Sequence, residues 1–538
     1  MFEILNYWTG QNDPIGVEYP LRTEARPDLH PSFGQGRAVH VGVDGLTGQK
    51  DTYTSLLHRC ICTAIKMRSE GIKPGDIITI CTSNHLNTCV PVIATFFLGA
   101  KVANLDATIS LSDTAYLLKQ VKPKMIFVAD DAIKLIEGAL TESKLNSKIV
   151  TFGTSSDYLH FTEFLKKSSV EEESLKPVEV DSKDTAAILF SSGTTGLPKG
   201  ICLSHYGILA QSSTLCDIGY NTNVFLAFSS LYWISSILIL TSSILTGGCR
   251  VIAPKYDPST VWNLLEKYKV TAMFLAPIQS FSLYKSGRPE GINTTKFEHL
   301  LIGGGYVSRE QMNEIRDILP GTNVMLGYGL TEICGIALLF WPNNPKDMIM
   351  ACERCGSSGR PLPGFSYKVV DPDSRKPLGP NQRGELLIKT DSQMHGYFNL
   401  DSCEAWDSDG WLKTGDVVYY DEDYCFYIID RVKEMLKFQS WHVPPATIES
   451  ILLTHPAVEA AVVVGLPHPI DGDHPLAAVV TKASCAVSET EIEDYIAKRV
   501  HDRMRLRGGV KFVSSIPLTP SGKIKRRDIR DMIVKGHL

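Results

Sequence analysis

The chain has little net charge, no long basic stretch and no ordered cysteine framework, and each shortage removes a class of function. Of 538 residues, 54 are Lys or Arg and 59 are Asp or Glu, a formal charge of −5. That balance supplies no bulk attraction to nucleic acid or to an anionic membrane. The one basic cluster is a short tail of Lys523, Lys525, Arg526 and Arg527. The 13 cysteines are odd in number and scattered, which reads as reduced thiols in an intracellular protein. A single CxxC, Cys352 and Cys355, lacks the second pair or nearby histidines that a zinc site requires. The opening MFEILNYWTGQNDP has no basic region leading into an apolar core, so no secretory leader is expected. Internal repeats and low-complexity segments are lacking too. No GxxxxGK[ST] occurs, which sets aside the usual P-loop.

One further absence is ambiguous. Residues 218–249 contain no charged side chain, and 225–248 is long enough to span a membrane. Six serines, Ser229, Ser230, Ser235, Ser236, Ser242 and Ser243, interrupt it. A buried helix lining an apolar ligand tunnel is the expected reading, and no transmembrane segment.

What is present is globular: 43% apolar and 21% charged residues, over a length that exceeds one hydrophobic core. Strand-like runs at 76–81, 124–129, 299–305 and 323–329 alternate with helical patterns, such as the apolar face of Val261, Leu264, Leu265 and Tyr268. This predicts α/β architecture with buried parallel sheets. Glycines close several strands, where such sheets place ligands. After about Gly356 the pattern turns to hairpins, GELLIK (384–389) and VVYY with CFYIID. Beyond Arg431 comes a compact α+β pattern, with helices near 446–453 and 489–499 and strands at 461–464 and 477–480.

The chemistry gathers in loops. After the apolar run 186–190 comes Ser191, Ser192, Gly193, Thr194, Thr195, Gly196, Leu197, Pro198, Lys199, Gly200. Glycines let successive backbone N–H groups turn toward one anion, hydroxyls donate to phosphate oxygens, and Lys199 adds a point charge. Residues 326–332, LGYGLTE, offer an aromatic face at Tyr328 between Gly327 and Gly329, a hydroxyl at Thr331 and a carboxylate at Glu332 suited to Mg²⁺. Gly303, Gly304 and Gly305 upstream would let a flat ring approach the backbone. Residues 411–416, WLKTGD, place Asp416 to accept from two neighbouring hydroxyls.

In order, SSGTTGLPKG, GYGLTE, GRPLPG (359–364), TGD, DRVKE and PSGK resemble the signatures of the adenylate-forming superfamily: acyl-CoA synthetases, 4-coumarate-CoA ligases and insect luciferases. The resemblance implies a large adenylation domain (1–430) of two doubly wound αβ subdomains and a small β-barrel. A hinge (431–433) about Lys433 would follow, then a small mobile α+β C-terminal domain (434–538). It implies ATP, Mg²⁺ and CoA, and a small-molecule carboxylic acid as substrate. Residues 191–199 would hold the β- and γ-phosphates, Tyr328 would stack on adenine, and Gly304 and Gly305 would admit the purine. Asp416 with Arg431 would take the ribose, Thr331 phosphate and Glu332 the metal. Lys523 would bridge the acyl carboxylate and α-phosphate, and Lys437 would enter for the second step.

The chain departs from the family at three places. Lys437 is followed by Phe438, Gln439 and Ser440 where Lys-x-x-Gly is common, which brings the thiol step into question. Where beetle luciferases carry His-His-Gly-Phe, this chain reads Leu231, Tyr232, Trp233, Ile234, Ser235, Ser236, and Gly335 stands where they tend to carry serine. By the resemblance to fatty acyl-CoA synthetases Trp233 would act as a gate, with Tyr232 beside it in the substrate pocket; with the long apolar stretch that follows, a medium- or long-chain fatty acid is the expected substrate of an AMP-forming acyl-CoA synthetase. Luciferin oxygenation, a coumarate-like or carrier-thiol ligase and an inactive nucleotide-binding homologue remain the alternatives. The ending Gly536, His537, Leu538 is at most a weak form of a peroxisomal address.

Overall fold

A computed structural model describes residues 40–155, 157–166, 175–190, 198–220, 223–439, 441–483, 485–518 and 524–535. Two largely parallel sheets dominate it. The first has seven strands, in the order Leu159–His160, Lys148–Thr151, Met125–Val128, Ile77–Cys81, Lys101–Val102, Thr185–Phe190 and Gly200–Ser204. The last pair is antiparallel, and the others run parallel. The second has nine, with Asn323–Leu330, His299–Gly303, Ala272–Leu275, Val224–Ala227 and Cys249–Ile252 parallel at its centre. Central strands such as MIFV and HLLIG are buried throughout, as expected of parallel strands covered on both faces.

The charge-free run divides. Residues 224–227 are a strand of the second sheet, and Ser229 and Ser230 turn the chain. Only Ile234–Thr246 is helical, 13 residues closed by Gly247 in the left-handed region at φ 69°. Among the described residues no helix is long and apolar enough to cross a membrane. This helix packs on His205–Asp217, where buried Ser212 and Thr241 share a hydrogen bond. Its C-terminus is also held from outside: the buried Tyr53 hydroxyl donates to Ser243 O at 3.0 Å and to Gly248 O, just past the helix, at 2.8 Å. One apolar core runs through this layer, joining Tyr53, Leu189, Ile237, Leu338 and Leu386.

A four-stranded antiparallel sheet, Phe365–Val370, Gly384–Thr390, Leu412–Tyr420 and Phe426–Arg431, stands where the resemblance places a small barrel; its pairing follows an open path among the described residues. The chain then builds a separate α+β unit. Its five-stranded sheet, from Leu436–Phe438 to Gly509–Phe512, packs against helices Pro445–Leu453, Glu489–Ala497 and Arg526–Val534.

Candidate active site

A cavity of about 1860 Å³ opens where both large sheets, the four-stranded sheet and the start of the small unit meet. Its floor is the glycine-ended edge of the second sheet. Gly303 and Gly327 are register partners on adjacent parallel strands. Gly304 turns the chain away at φ 91°, and nothing lies within 4 Å of where its side chain would begin. The backbone edge is therefore open to a flat group. Gly305 lies off the wall and faces Pro277.

Gly329 continues this edge, and so does Tyr328, which lines the cavity. It is buried, and its hydroxyl donates to Asp416 Oδ2 at 2.6 Å. Burial, with the Asp416 charge beside it, pushes that hydroxyl's pKa well up, so it stays protonated and donating at neutral pH. Asp416 Oδ1 takes Arg431 Nε at 2.8 Å. These residues are cross-strand partners in the hairpin of Leu412–Tyr420 and Phe426–Arg431, so the ladder itself sets the pair. Arg431 Nη2 also donates to Thr414 O at 3.1 Å. The Asp416 carboxylate raises the Arg431 pKa further. A carboxylate offers about four acceptor positions. With two filled, Asp416 retains room for two more donors.

Opposite, Thr331 and Glu332 sit on the short turn Thr331–Ile333 that ends the edge, and both line the cavity. Lys199 Nζ lies 4.6 Å from the centre of the Tyr397 ring, a cation–π contact. Burial, then the Glu332 charge, pushes the Tyr397 hydroxyl up to about 12. Tyr397 arrives there because residues 396–398 run along strand Gly200–Ser204, with Phe398 N donating to Gly200 O. Ser191, Ser192, Gly193, Thr194, Thr195 and Gly196 lie outside the described residues; both flanks, Phe190 and Lys199, are on the wall.

The deep end is apolar, lined by Leu215, Phe225, Leu238, Ile239 and Leu301. Trp233 borders it as the residue before helix Ile234–Thr246. Tyr232 is buried behind the wall, edge-on to Trp233 at 4.7 Å and stacked on Phe190. Gly335 also lines this end at φ 146°; a methyl there would approach Leu238 Cδ1 to 2.5 Å. The turn carrying Trp233 is pinned from the first sheet. Asp106 Oδ2 accepts from Ser230 Oγ at 2.6 Å, and Asn84 Nδ2 donates to Phe228 O and Ser229 O. Sequence reasoning missed Asn84, Asp106 and Tyr397, which stand alone in the chain with no motif around them.

Val432, Lys433 and Glu434 reach the wall, but Lys437 does not. It is exposed on strand Leu436–Phe438, its backbone N–H on Asp473 Oδ2 at 3.0 Å. Lys523 and Ser440 lie outside the described residues, and Leu518, just before residues 519–523, lines the cavity. Cys355 donates its thiol to Asn313 Oδ1 and Arg309 O while Cys352 is exposed, and the pair joins no metal-ligand cluster among the described residues.

Residues 34–398 match the family model described as AMP-binding enzyme, and residues 447–523 match the AMP-binding enzyme C-terminal domain. The chain is 34% identical to luciferin 4-monooxygenase of Nipponoluciola cruciata, over 91% of each chain. It is 30% identical to peroxisomal OPC-8:0-CoA ligase 1 of Arabidopsis thaliana, over 95% of this chain and 94% of the relative. The solved luciferase-like enzyme from the nonluminescent mealworm Zophobas morio superposes with a TM-score of 0.72 at 36% identity, covering 81% of this chain and 95% of that one.

Proposed function

The chain belongs to the AMP-binding enzymes, the adenylate-forming superfamily, and from that premise we propose that it is an AMP-forming acid–thiol ligase acting on a medium- or long-chain fatty acid. In the first step a carboxylate oxygen of the acid bonds to the α-phosphorus of ATP, and the bond from that phosphorus to the bridging oxygen breaks, releasing pyrophosphate. In the second the CoA sulfur bonds to the acyl carbon, its proton leaves to solvent, and AMP departs. The observation carrying this reading is one cavity that joins Lys199, the edge 327–332 and Arg431, with its buried partner Asp416 just behind the wall, to an apolar end.

The parts divide by chemistry. The open edge at Gly304 receives adenine, Tyr328 stacks on it, and the Tyr328 hydroxyl holds Asp416. Asp416 accepts from the ribose hydroxyls with its two remaining positions. Lys199 and the preceding loop meet the β- and γ-phosphates. Mg²⁺ fits Glu332: the ion takes one or two carboxylates alongside nucleotide phosphates, and Glu332 is on the wall beside Thr331. When bound it neutralises charge on the phosphates. The acyl chain passes Trp233 toward Leu238 and Ile239. Lys523 positions the reacting carboxylate and α-phosphate, and residues 431–433 act as the hinge that exchanges Lys523 for Lys437.

The test is pyrophosphate release with ATP and Mg²⁺ across short to long fatty acids, coumarate and luciferins, each with and without CoA. A fatty acid whose turnover rises with CoA and yields acyl-CoA supports the reading. Preference for coumarate would move it to an aryl-CoA ligase. Adenylation without acyl-CoA would place the failure at Ser440. The second reading, oxygenation of an adenylated luciferin, is favoured by the likeness to luciferin 4-monooxygenases. Photon counting in the luciferin arm decides it.

A further inference from the structure

The small C-terminal unit carries a side-chain cluster that acid activation does not use. Its longest hairpin pairs Val458–His468 with Gly472–Thr481, in register His468 to Gly472 and Leu466 to His474. His474 is thus the diagonal neighbour of His468 on one face of the ribbon, the pairing in which long side chains meet. Their rings stack at 4.0 Å between centres and 10° between planes. Asp471, in the turn, reaches back over them: its Oδ2 is 2.9 Å from His474 Nε2 and 3.4 Å from His468 Nδ1.

We propose that His468, Asp471 and His474 form a binding site for a transition-metal dication of the zinc class. Two imidazoles and one carboxylate are the donors such ions prefer, whereas Mg²⁺ and Ca²⁺ take oxygen-rich shells. The spacing fits. Tetrahedral donors about 2.1 Å from a zinc ion lie about 3.4 Å from one another, and the three ligand atoms here fall within 4.8 Å of one another. His468 Nδ1 already presents a lone pair: it accepts from Ile470 N–H at 3.4 Å and Asp471 N–H at 3.2 Å, long contacts that an ion displaces readily. The carboxylate is held for the task. Asp471 Oδ1 accepts from Gln439 Nε2 at 2.8 Å, leaving Oδ2 to the histidines. Side-chain exposures of 35%, 21% and 19% for His468, Asp471 and His474 leave an entry path from solvent. The fourth position belongs to water.

The site touches the strand that carries Lys437. Gln439 N donates to Asp471 O at 2.7 Å. Gly472 pairs with Phe438 at φ 87°, so close that a methyl on Gly472 would lie 2.3 Å from Lys437 O. An ion across the turn would therefore stiffen residues 437–439.

The experiment is equilibrium binding of Zn²⁺ to the full chain by calorimetry, with Co²⁺ absorption as a second probe. One ion per chain is expected, with a cobalt spectrum of nitrogen and oxygen donors lacking thiolate charge transfer. H468A and H474A should each weaken binding at least about tenfold, and the double variant should abolish it. C352S/C355S should bind as the unaltered chain does. Binding should fall in acid, since imidazole ligands must be unprotonated. Hydrogen exchange at the Gln439 amide should slow with Zn²⁺. Unchanged affinity in the double histidine variant, thiolate bands with Co²⁺, or saturation only above about 1 mM Zn²⁺ would each overturn the proposal. Circular dichroism melting checks that the variants fold, and none of these readouts depends on the ligase reading.

Discussion

Two arginine–carboxylate clusters flank Val432 and Lys433, one at Arg431 and one at Glu434, and they are built to opposite ends. At the cavity, Arg431 meets one carboxylate, keeps 40% of its side chain exposed and shares Asp416 with a tyrosine hydroxyl. Behind it, Arg526 is 18% exposed and closes on itself. Its Nε meets Glu434 at 2.9 Å, its two Nη atoms meet both oxygens of Glu449, and Nη1 also reaches Val463 O. Glu449 in turn accepts from Val463 N–H. The first leaves acceptor positions of Asp416 unfilled behind Arg431, while the second gathers two carboxylates and a carbonyl round Arg526, although Glu434 also reaches the cavity wall. An ion pair alone therefore says little about role; the unfilled hydrogen-bonding capacity says more.

Breaking the closed cluster should have the largest effect. Arg526→Met leaves Glu449 and Glu434 partly buried without their cation, and removing one partner of such a pair costs about 3–5 kcal/mol. Urea unfolding should show that loss. A change below 1 kcal/mol would mean that Arg526 is a surface pair in solution. Asp416→Ala should cost less stability, since only the Tyr328 hydroxyl and the half-exposed Arg431 lose their shared acceptor, and should strike turnover. Acid-dependent pyrophosphate release should fall about 10²–10³-fold, the scale for loss of a positioned polar group in an active site. Wild-type turnover in this variant would detach Asp416 from the nucleotide.

Asp430 lies between the clusters and sharpens the contrast. Its oxygens accept from Arg431 N–H at 2.8 Å and Ala446 N–H at 3.1 Å, joining the four-stranded sheet to the small unit. Burial lifts its pKa to about 6, against the opposing pull of Arg526 and the two backbone donors and with some help from Glu434. An unfolded aspartate titrates near 3.9, so between those values the folded protein binds the extra proton. Stability should therefore fall as pH rises from about 4 to about 6, by roughly 3 kcal/mol for this group, and level off above. Asp430→Asn should flatten that window in melts taken across pH; an unaltered slope would assign it elsewhere. The smallest effect is expected of Tyr328→Phe. It removes one hydrogen bond to a carboxylate, worth about 1.5–3 kcal/mol at most, and Arg431 still holds Asp416. A rise in the KM for ATP with kcat retained is the expected split, measured by initial rates.

Much of this arrangement was legible in the residues themselves. Apolar runs ending in glycine became the strands His299–Gly303 and Asn323–Leu330, and the Val261 to Tyr268 face became helix Pro258–Tyr268. These features are local, and a period or a glycine reports them. The motif residues of the edge, Gly327 to Glu332, reached the cavity wall together with Lys199, Trp233 and Arg431. Contacts between distant segments were not legible. Nothing in the chain announces that Tyr397 meets Lys199, that Asp106 holds Ser230 across 124 positions, or that Arg526 closes on Glu449. The charge-free run shows the same limit: its composition signalled burial, but not that it would divide into the strand Val224–Ala227 and the helix Ile234–Thr246.

Gly335 has a consequence for how such a protein could diversify. Any side chain there meets both an unfavourable backbone angle and Leu238, so the deep end of the cavity cannot be shortened from that strand without disturbing its neighbour first. Leu238, on the facing helix, carries no such restriction. A lineage in which this end of the cavity changed size would therefore find its first accessible step at Leu238, whereas Gly335 would keep its unfavourable backbone angle even beside a smaller neighbour.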